Sequence, residues 1–153
     1  MAETDFMSLA MAEARSAAER GEVPVGAVLV AADGRVLARN GNRTVEQHDP
    51  TAHAEMLVLR EAAEKLGNER LTGTSLFVTL EPCAMCAGAA SLARVARLVL
   101  GAEDPKGGAV LHGPRFFAQP TCHHRPSVSS GERSDESAAL LKSFFLARRT
   151  QSG

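Results

Sequence analysis

The sequence predicts an α/β fold in which helices cover both faces of a central sheet. Three observations point there. Segments with helical spacing of apolar residues alternate with short β-branched apolar runs, in the order αββαβαβ. The runs at 23–30, 75–80 and 95–100 are apolar almost throughout, as strands buried on both faces are. The chain has 153 residues, 44% apolar and 23% charged, the length and balance of one globular domain of roughly 100–200 residues. We therefore expect residues 1–153 to form one domain.

The elements follow in order. Phe6, Ala10, Ala14 and Ala17, with Met7 and Met11, repeat at helical spacing. Asp5 or Thr4 can cap that helix and Gly21 can end it. Residues 23–30 read as a strand, Asp33-Gly34 as a hairpin turn, and 36–40 as the returning strand. A polar stretch, 42–51, leads to a helix over 52–66 that stops at Gly67. Residues 75–80 read as a buried strand, and Pro82 opens a helix running to about residue 93. A further buried strand, 95–100, is closed by Gly101. Residues 102–131 hold Gly107-Gly108, Pro114, Pro120 and Pro126, and read as loop with one edge strand at most. Ser134-Asp-Glu136 caps a last helix, about 135–149, with Ala139, Leu140, Phe144, Leu146 and Ala147 turned partly inward.

No apolar run approaches the ~20 residues that cross a bilayer, so no membrane span is expected. The acidic start, Met1-Ala-Glu-Thr-Asp5, does not resemble a signal peptide. Three cysteines suit a reducing compartment better than a disulfide scaffold, which implies a cytoplasmic protein. Net charge is −1, yet residues 1–75 carry 8 basic and 12 acidic side chains while 76–153 carry 9 and 6. An anionic partner should therefore meet the second half.

Two local patterns share a chemical theme. His53-Ala-Glu55 opens a helix, and Pro82-Cys83-Ala-Met-Cys86 stands where a strand meets a helix. Alone, a His-x-Glu pair is common on solvated helix faces, and Cys-x-x-Cys serves either metal or redox chemistry. Together they favour metal. A thioredoxin-type site has no use for the His-x-Glu, and a structural zinc site closes with four protein ligands. His53, Cys83 and Cys86 number three, which leaves a tetrahedral corner for water, the arrangement of a catalytic zinc. Cys122, beside His123 and His124, is the one alternative fourth ligand. Cysteines at i and i+3 of a first helical turn face one ion, and the helix N-terminus favours their thiolates. Glu55 then serves as the base that takes a proton from water and the acid that returns it to substrate. This His-x-Glu…Pro-Cys-x-x-Cys spacing is the known signature of zinc base deaminases, in which the Glu does not ligate.

Asp49-Pro-Thr-Ala-His-Ala-Glu55 and Thr79-Leu-Glu-Pro-Cys-Ala-Met-Cys-Ala-Gly-Ala89 resemble the zinc motifs of bacterial tRNA-specific adenosine deaminases. Glu22-Val-Pro-Val-Gly-Ala-Val28, Asn42-Arg43, Gly101-Ala-Glu-Asp-Pro-Lys-Gly-Gly-Ala109, His124-Arg125 and the Asp135-to-Arg149 segment extend the resemblance over roughly residues 6–149. It implies a three-layer α/β/α cytidine-deaminase-like fold with a five-stranded mixed sheet, usually in a homodimer. The implied activity is deamination of adenosine to inosine at the wobble position of a tRNA anticodon. The implied ligands of one Zn²⁺ per subunit are His53, Cys83 and Cys86, with Glu55 as proton shuttle. Substrate contacts are implied at Val25, Asn42, Ala54, Pro82, Ala84, Asp104, Lys106, His124 and Arg125, and on the last helix at Phe144, Phe145, Arg148 and Arg149. The chain departs from the family's pattern at His123, at Pro126 and in the polar stretch 127–134.

Phe144-Phe145 one turn from Arg148-Arg149 combines ring and cation for the anticodon stem-loop. The plainer reading is a helix docked by its phenylalanines, and Arg115-Phe116-Phe117 is a weaker case of the same choice. Two rivals differ in kind. One is a deaminase of a free base, nucleoside or nucleotide, such as guanine or cytosine. The other is a zinc-stabilised RNA-binding module, which needs a closed four-ligand site and gives Glu55 no task.

Overall fold

The structure, a computed structural model, describes residues 5–152. The chain runs α1 (Phe6–Glu19), β1 (Gly26–Val30), β2 (Val36–Gly41), α2 (Ala54–Leu66), β3 (Ser75–Leu80), α3 (Ala84–Leu92), β4 (Arg97–Ala102), a 3-10 turn (Phe116–Ala118), β5 (Ser127–Ser130) and α4 (Ser134–Ser152). The five strands form one mixed sheet in the order β2-β1-β3-β4-β5. β1 is antiparallel to both β2 and β3, whereas β3, β4 and β5 run parallel. The parallel neighbours require crossovers: β3 reaches β4 through α3, and β4 reaches β5 through the long segment 103–126 that holds the 3-10 turn.

Side chains alternate across the strands and define two layers of core. Ala27, Leu29, Leu76, Val78, Leu98 and Leu100 meet Val58, Ala62, Ala87 and Ala90 of α2 and α3 on one face. Val28, Val30, Phe77 and Val99 meet Met7 and Ala10 of α1 on the other. α4 joins α1 there: Ser137 donates its hydroxyl to the Thr79 carbonyl at 2.7 Å, and Arg15 pairs with Glu136 at 2.8 Å. The three-layer α/β/α fold and the five-stranded mixed sheet expected from the resemblance are what the chain adopts.

The local signals act largely as the residues dictate. Asp5 caps α1 by accepting from the Ser8 N–H at 3.0 Å, while Thr4 lies outside the described residues. Gly67 ends α2 in the left-handed region, at φ 62°. α1 lies directly on β1, because an added Cβ at Gly26 would sit 1.9 Å from the Ala10 carbonyl oxygen.

Four expectations need correction. The first strand begins at Gly26 rather than 23, since Pro24 has no N–H for a ladder and the Val25 N–H turns back to the Val23 carbonyl at 2.8 Å. Pro82 precedes α3 instead of opening it, and Cys83 is the N-cap. Gly101 lies inside β4, where a Cβ would meet the Thr79 carbonyl oxygen at 2.6 Å. Ala139, Leu146 and Ala147 of α4 are exposed; Leu140, Leu141 and Phe144 are the half-buried apolar contacts.

Candidate active site

β2, β3 and β4 point the same way, so their carboxyl ends share one edge of the sheet, where open α/β sheets hold their ligands. Two helices start at that edge. His53 is the N-cap of α2 and Cys83 the N-cap of α3, both with extended backbones. An N-cap side chain ordinarily bonds the first turn's N–H groups, but neither residue does so. Both side chains are thereby available to a third party, at two helix ends carrying partial positive charge. His53 Nδ1 lies 3.7 Å from Cys83 Sγ and 3.5 Å from Cys86 Sγ.

That spacing tests the metal reading. Zinc bonds of about 2.3 Å to sulfur and 2.0–2.1 Å to nitrogen, set tetrahedrally, separate the donor atoms by about 3.6 Å. The three donors lie within 4.8 Å of one another and are the one such group among the described residues. The charges agree. Bonds from Cys86 and from His53 hold the Cys83 thiol down to about 3, and the Cys83 neighbour together with burial pushes Cys86 up. A second thiolate beside the first is repelled, and a bound dication removes that repulsion. The residues fit a divalent ion of zinc's size and softness.

Glu55, in the first turn of α2, is 4% exposed, and burial lifts its carboxyl above the usual carboxylate range. It faces a cavity of about 250 Å³ that also takes in His53, Cys83, Asn42 and the apolar Val23, Val25 and Leu80. Asn42 is fixed from three sides. Its Oδ1 accepts from the Ala54 N–H at 2.8 Å, its N–H donates to Val25, and its carbonyl accepts from Arg20 at 3.0 Å. The Nδ2 hydrogens are left for whatever fills the cavity. Asp104 and Gly107 close the far wall. A larger cavity of about 530 Å³ lies at the opposite strand ends, beside Phe6, Phe77 and Arg97, and contains none of the triad.

The remaining residues expected at the site divide. Ala54 contributes its backbone N–H, and the buried Pro82 accepts from the Ala109 N–H at 2.9 Å. Lys106 is exposed beside Asp104, and Ala84 is exposed without lining the cavity. His124 and Arg125 do not line it either: His124 Nε2 sits 2.7 Å from the Val95 carbonyl oxygen, and Arg125 bonds the Phe117 and Gln119 carbonyls. Arg148 stacks 5.0 Å above the Phe144 ring and donates to the Gly21 carbonyl at 3.2 Å, which brings the last helix beside the segment leading to Val23. Phe145 is 44% exposed and Arg149 is exposed. Cys122 is buried against Ser91 and the His124 carbonyl, apart from the triad. Phe117 belongs to the core. Two residues that sequence reasoning passed over are Glu22 and Glu81, both buried. Both stand inside motifs that carry the family resemblance, and the signal in each is an acid beside apolar residues, Glu22-Val23-Pro24 and Leu80-Glu81-Pro82.

A His–Cys–Cys triad at helix starts with a buried acid beside it matches the pattern of hydrolytic base deaminases. The chain belongs to the MafB19-like deaminase family, whose model matches residues 1–149. It is 64% identical over 146 residues to a tRNA-specific adenosine deaminase of Agrobacterium fabrum, covering 95% of each chain. A solved structure from work on A-to-I editing by tRNA:A34 deaminases at the wobble position superposes with TM-score 0.88 and 65% identity, over 91% of this chain and all of that one. A guanine deaminase of Bacillus subtilis shares the fold at TM-score 0.65 and 26% identity, over 98% of this chain and 95% of the other.

Proposed function

We propose that this protein deaminates adenosine to inosine at the wobble position of a tRNA anticodon, with one Zn²⁺ per chain on His53, Cys83 and Cys86. One observation carries the reading: a buried carboxylate, Glu55, shares a small cavity with the three ligand atoms and the amide of Asn42. When bound, zinc supplies Lewis acidity that brings the pKa of a water near 7. The chain's own groups do the rest. Glu55 takes the proton of the attacking water on a carboxylate oxygen and delivers it to N1 of adenine. Glu55 then takes the remaining proton of the oxygen now bonded to C6 and passes it to the exocyclic amine; the carbon–nitrogen bond breaks, a C6 carbonyl forms and ammonia leaves. Burial penalises the charged form of Glu55 and so favours its carrying the proton between the two transfers.

The Nδ2 of Asn42 donates to the nucleoside, and the apolar side chains of Val25 and Leu80 receive the ring. Adenosine reaches the cavity only when splayed from its stack, as single-stranded loops allow. Lys106 and the Phe144, Phe145, Arg148, Arg149 surface then meet the anticodon stem-loop outside it. We place the enzyme in the cytoplasm, as its three free cysteines suggest, and take it as a homodimer, as the family resemblance implies. A free guanine substrate is disfavoured by relatedness: 26% identity to a guanine deaminase against 64% to a tRNA deaminase.

The test supplies the protein with an anticodon stem-loop carrying adenosine at the wobble position and, separately, with free adenosine, cytidine and guanine. Inosine is expected in the stem-loop alone. Ammonia released only from a free base would overturn the substrate. Glu55→Gln is expected to lower kcat by at least about 10²-fold while elemental analysis still finds zinc.

A further inference from the structure

Residues 103–115 contain no helix or strand, yet this segment forms one wall of the cavity through Asp104 and Gly107. Its backbone N–H groups have no ladder to join. Four of them converge instead on one buried side chain, Glu81, which stands between the end of β3 and the ligand Cys83. Oε2 accepts from the N–H groups of Val110, Leu111 and His112 at 3.1, 2.9 and 3.1 Å. Oε1 accepts from the Asp104 N–H at 3.0 Å and lies 2.8 Å from His112 Nδ1. Asp104, held in this way, accepts in turn from the N–H groups of Lys106 and Gly107. Gly108 completes the fit: a Cβ there would stand 2.4 Å from the Glu81 carboxyl and 2.5 Å from the Asp104 carbonyl oxygen.

We propose that Glu81 is a positioning residue for substrate, setting the 103–112 segment against the metal-ligand end of α3 so that Asp104, Lys106 and Gly107 meet the nucleotide in register. This rests on the reading of the cavity as a nucleoside site. Glu81 lies in the cavity wall, but its side chain is fully covered, so the carboxylate acts through the backbone it gathers. A carboxylate suits that task because it is acceptor-only, with about four lone-pair sites for donors from several directions. An amide of the same shape would turn an NH₂ toward N–H groups that need an acceptor.

Two variants disturb the brace from opposite sides. Glu81→Gln alters the acceptor, and Gly108→Ala drives the segment away from an intact Glu81. With the wobble-adenosine stem-loop, each is expected to raise KM about 10- to 100-fold and leave kcat within about threefold, because contacts equal in ground and transition state are lost. Zinc content should remain that of the wild type. Amide hydrogen exchange at Asp104, Val110, Leu111 and His112 should accelerate in both. Faster exchange or a lower melting temperature with wild-type KM would overturn the proposal, leaving Glu81 a brace for stability alone. Wild-type protein inert on the stem-loop would overturn the functional reading and this inference with it, an outcome separate from an active wild type with unmoved variants.

Discussion

A glutamate withdrawn from water has its proton affinity decided by the donors it finds. Glu55 and Glu22 show both results in one chain. Burial dominates at Glu55 and raises its carboxyl. Burial acts on Glu22 too, but the N–H groups of Glu46 and Val45, at 2.8 and 3.1 Å, and the Thr44 hydroxyl outweigh it, so the carboxyl falls below its ordinary 4.5. Glu22 thereby pins residues 44–46, next to Asn42. Because its folded-state pKa is depressed, its stabilisation is complete above pH 4.5 and fades as pH falls through the lower folded value. Glu22→Gln should cost about 1.5–3 kcal/mol at pH 7, the range of hydrogen bonds to a charged group. That deficit should shrink by pH 3, read from urea midpoints at the two pH values. A gap that stays constant between them would show that the charge plays no part.

Backbone proximity governs the elements as strongly as apolar pattern does. Gly26 has no room for a methyl group against α1, so Gly26→Ala should destabilise by about 3 kcal/mol through overpacking. Gly88, inside α3, is different: an added Cβ would rest 3.7 Å from the Phe116 ring, an ordinary contact. Gly88→Ala should stabilise by about 0.5–1 kcal/mol, from helix propensity alone. Denaturant titration of the two variants checks the opposite signs. The same physics explains which parts of the fold were legible. α1 and α2 announce themselves because one side of each is buried and its ends carry caps or turns, and β3 because burial on both faces makes it an apolar run. Gly101 misled, because a glycine that permits close approach of Thr79 looks in sequence like one that ends a strand. β5 carries four exposed residues and hence no apolar pattern; pairing with β4 alone makes it a strand. The clustering of His53, Cys83 and Cys86 beside Glu55 was legible, since the chemistry proposed for them demands fixed local spacing. Glu22 and Glu81 were not, because their partners are backbone amides more than twenty residues away, which no side-chain pattern reports.

Across the whole molecule, the excess of basic residues in 76–153 includes Lys106, Arg148 and Arg149. α4 lies beside α1, and Arg148 reaches the Gly21 carbonyl near the catalytic edge. If this helix meets phosphates, the Arg148→Ala, Arg149→Ala double variant should weaken stem-loop binding and reduce the slope of log K against log salt by about 1–2. Titrations between about 50 and 200 mM salt measure it; an unchanged slope would remove α4 from the interface. The site itself has two kinds of support. Its reacting centre rests on the first turns of α2 and α3, rooted in the sheet and packed from behind by Val58, Ala62, Ala87 and Ala90. Its outer wall is irregular backbone gathered onto a single carboxylate. The floor is thus costly to alter and the rim is cheap, so a lineage could exchange one substrate for another by rewriting residues 103–112 while the hydrolytic chemistry stays as it is.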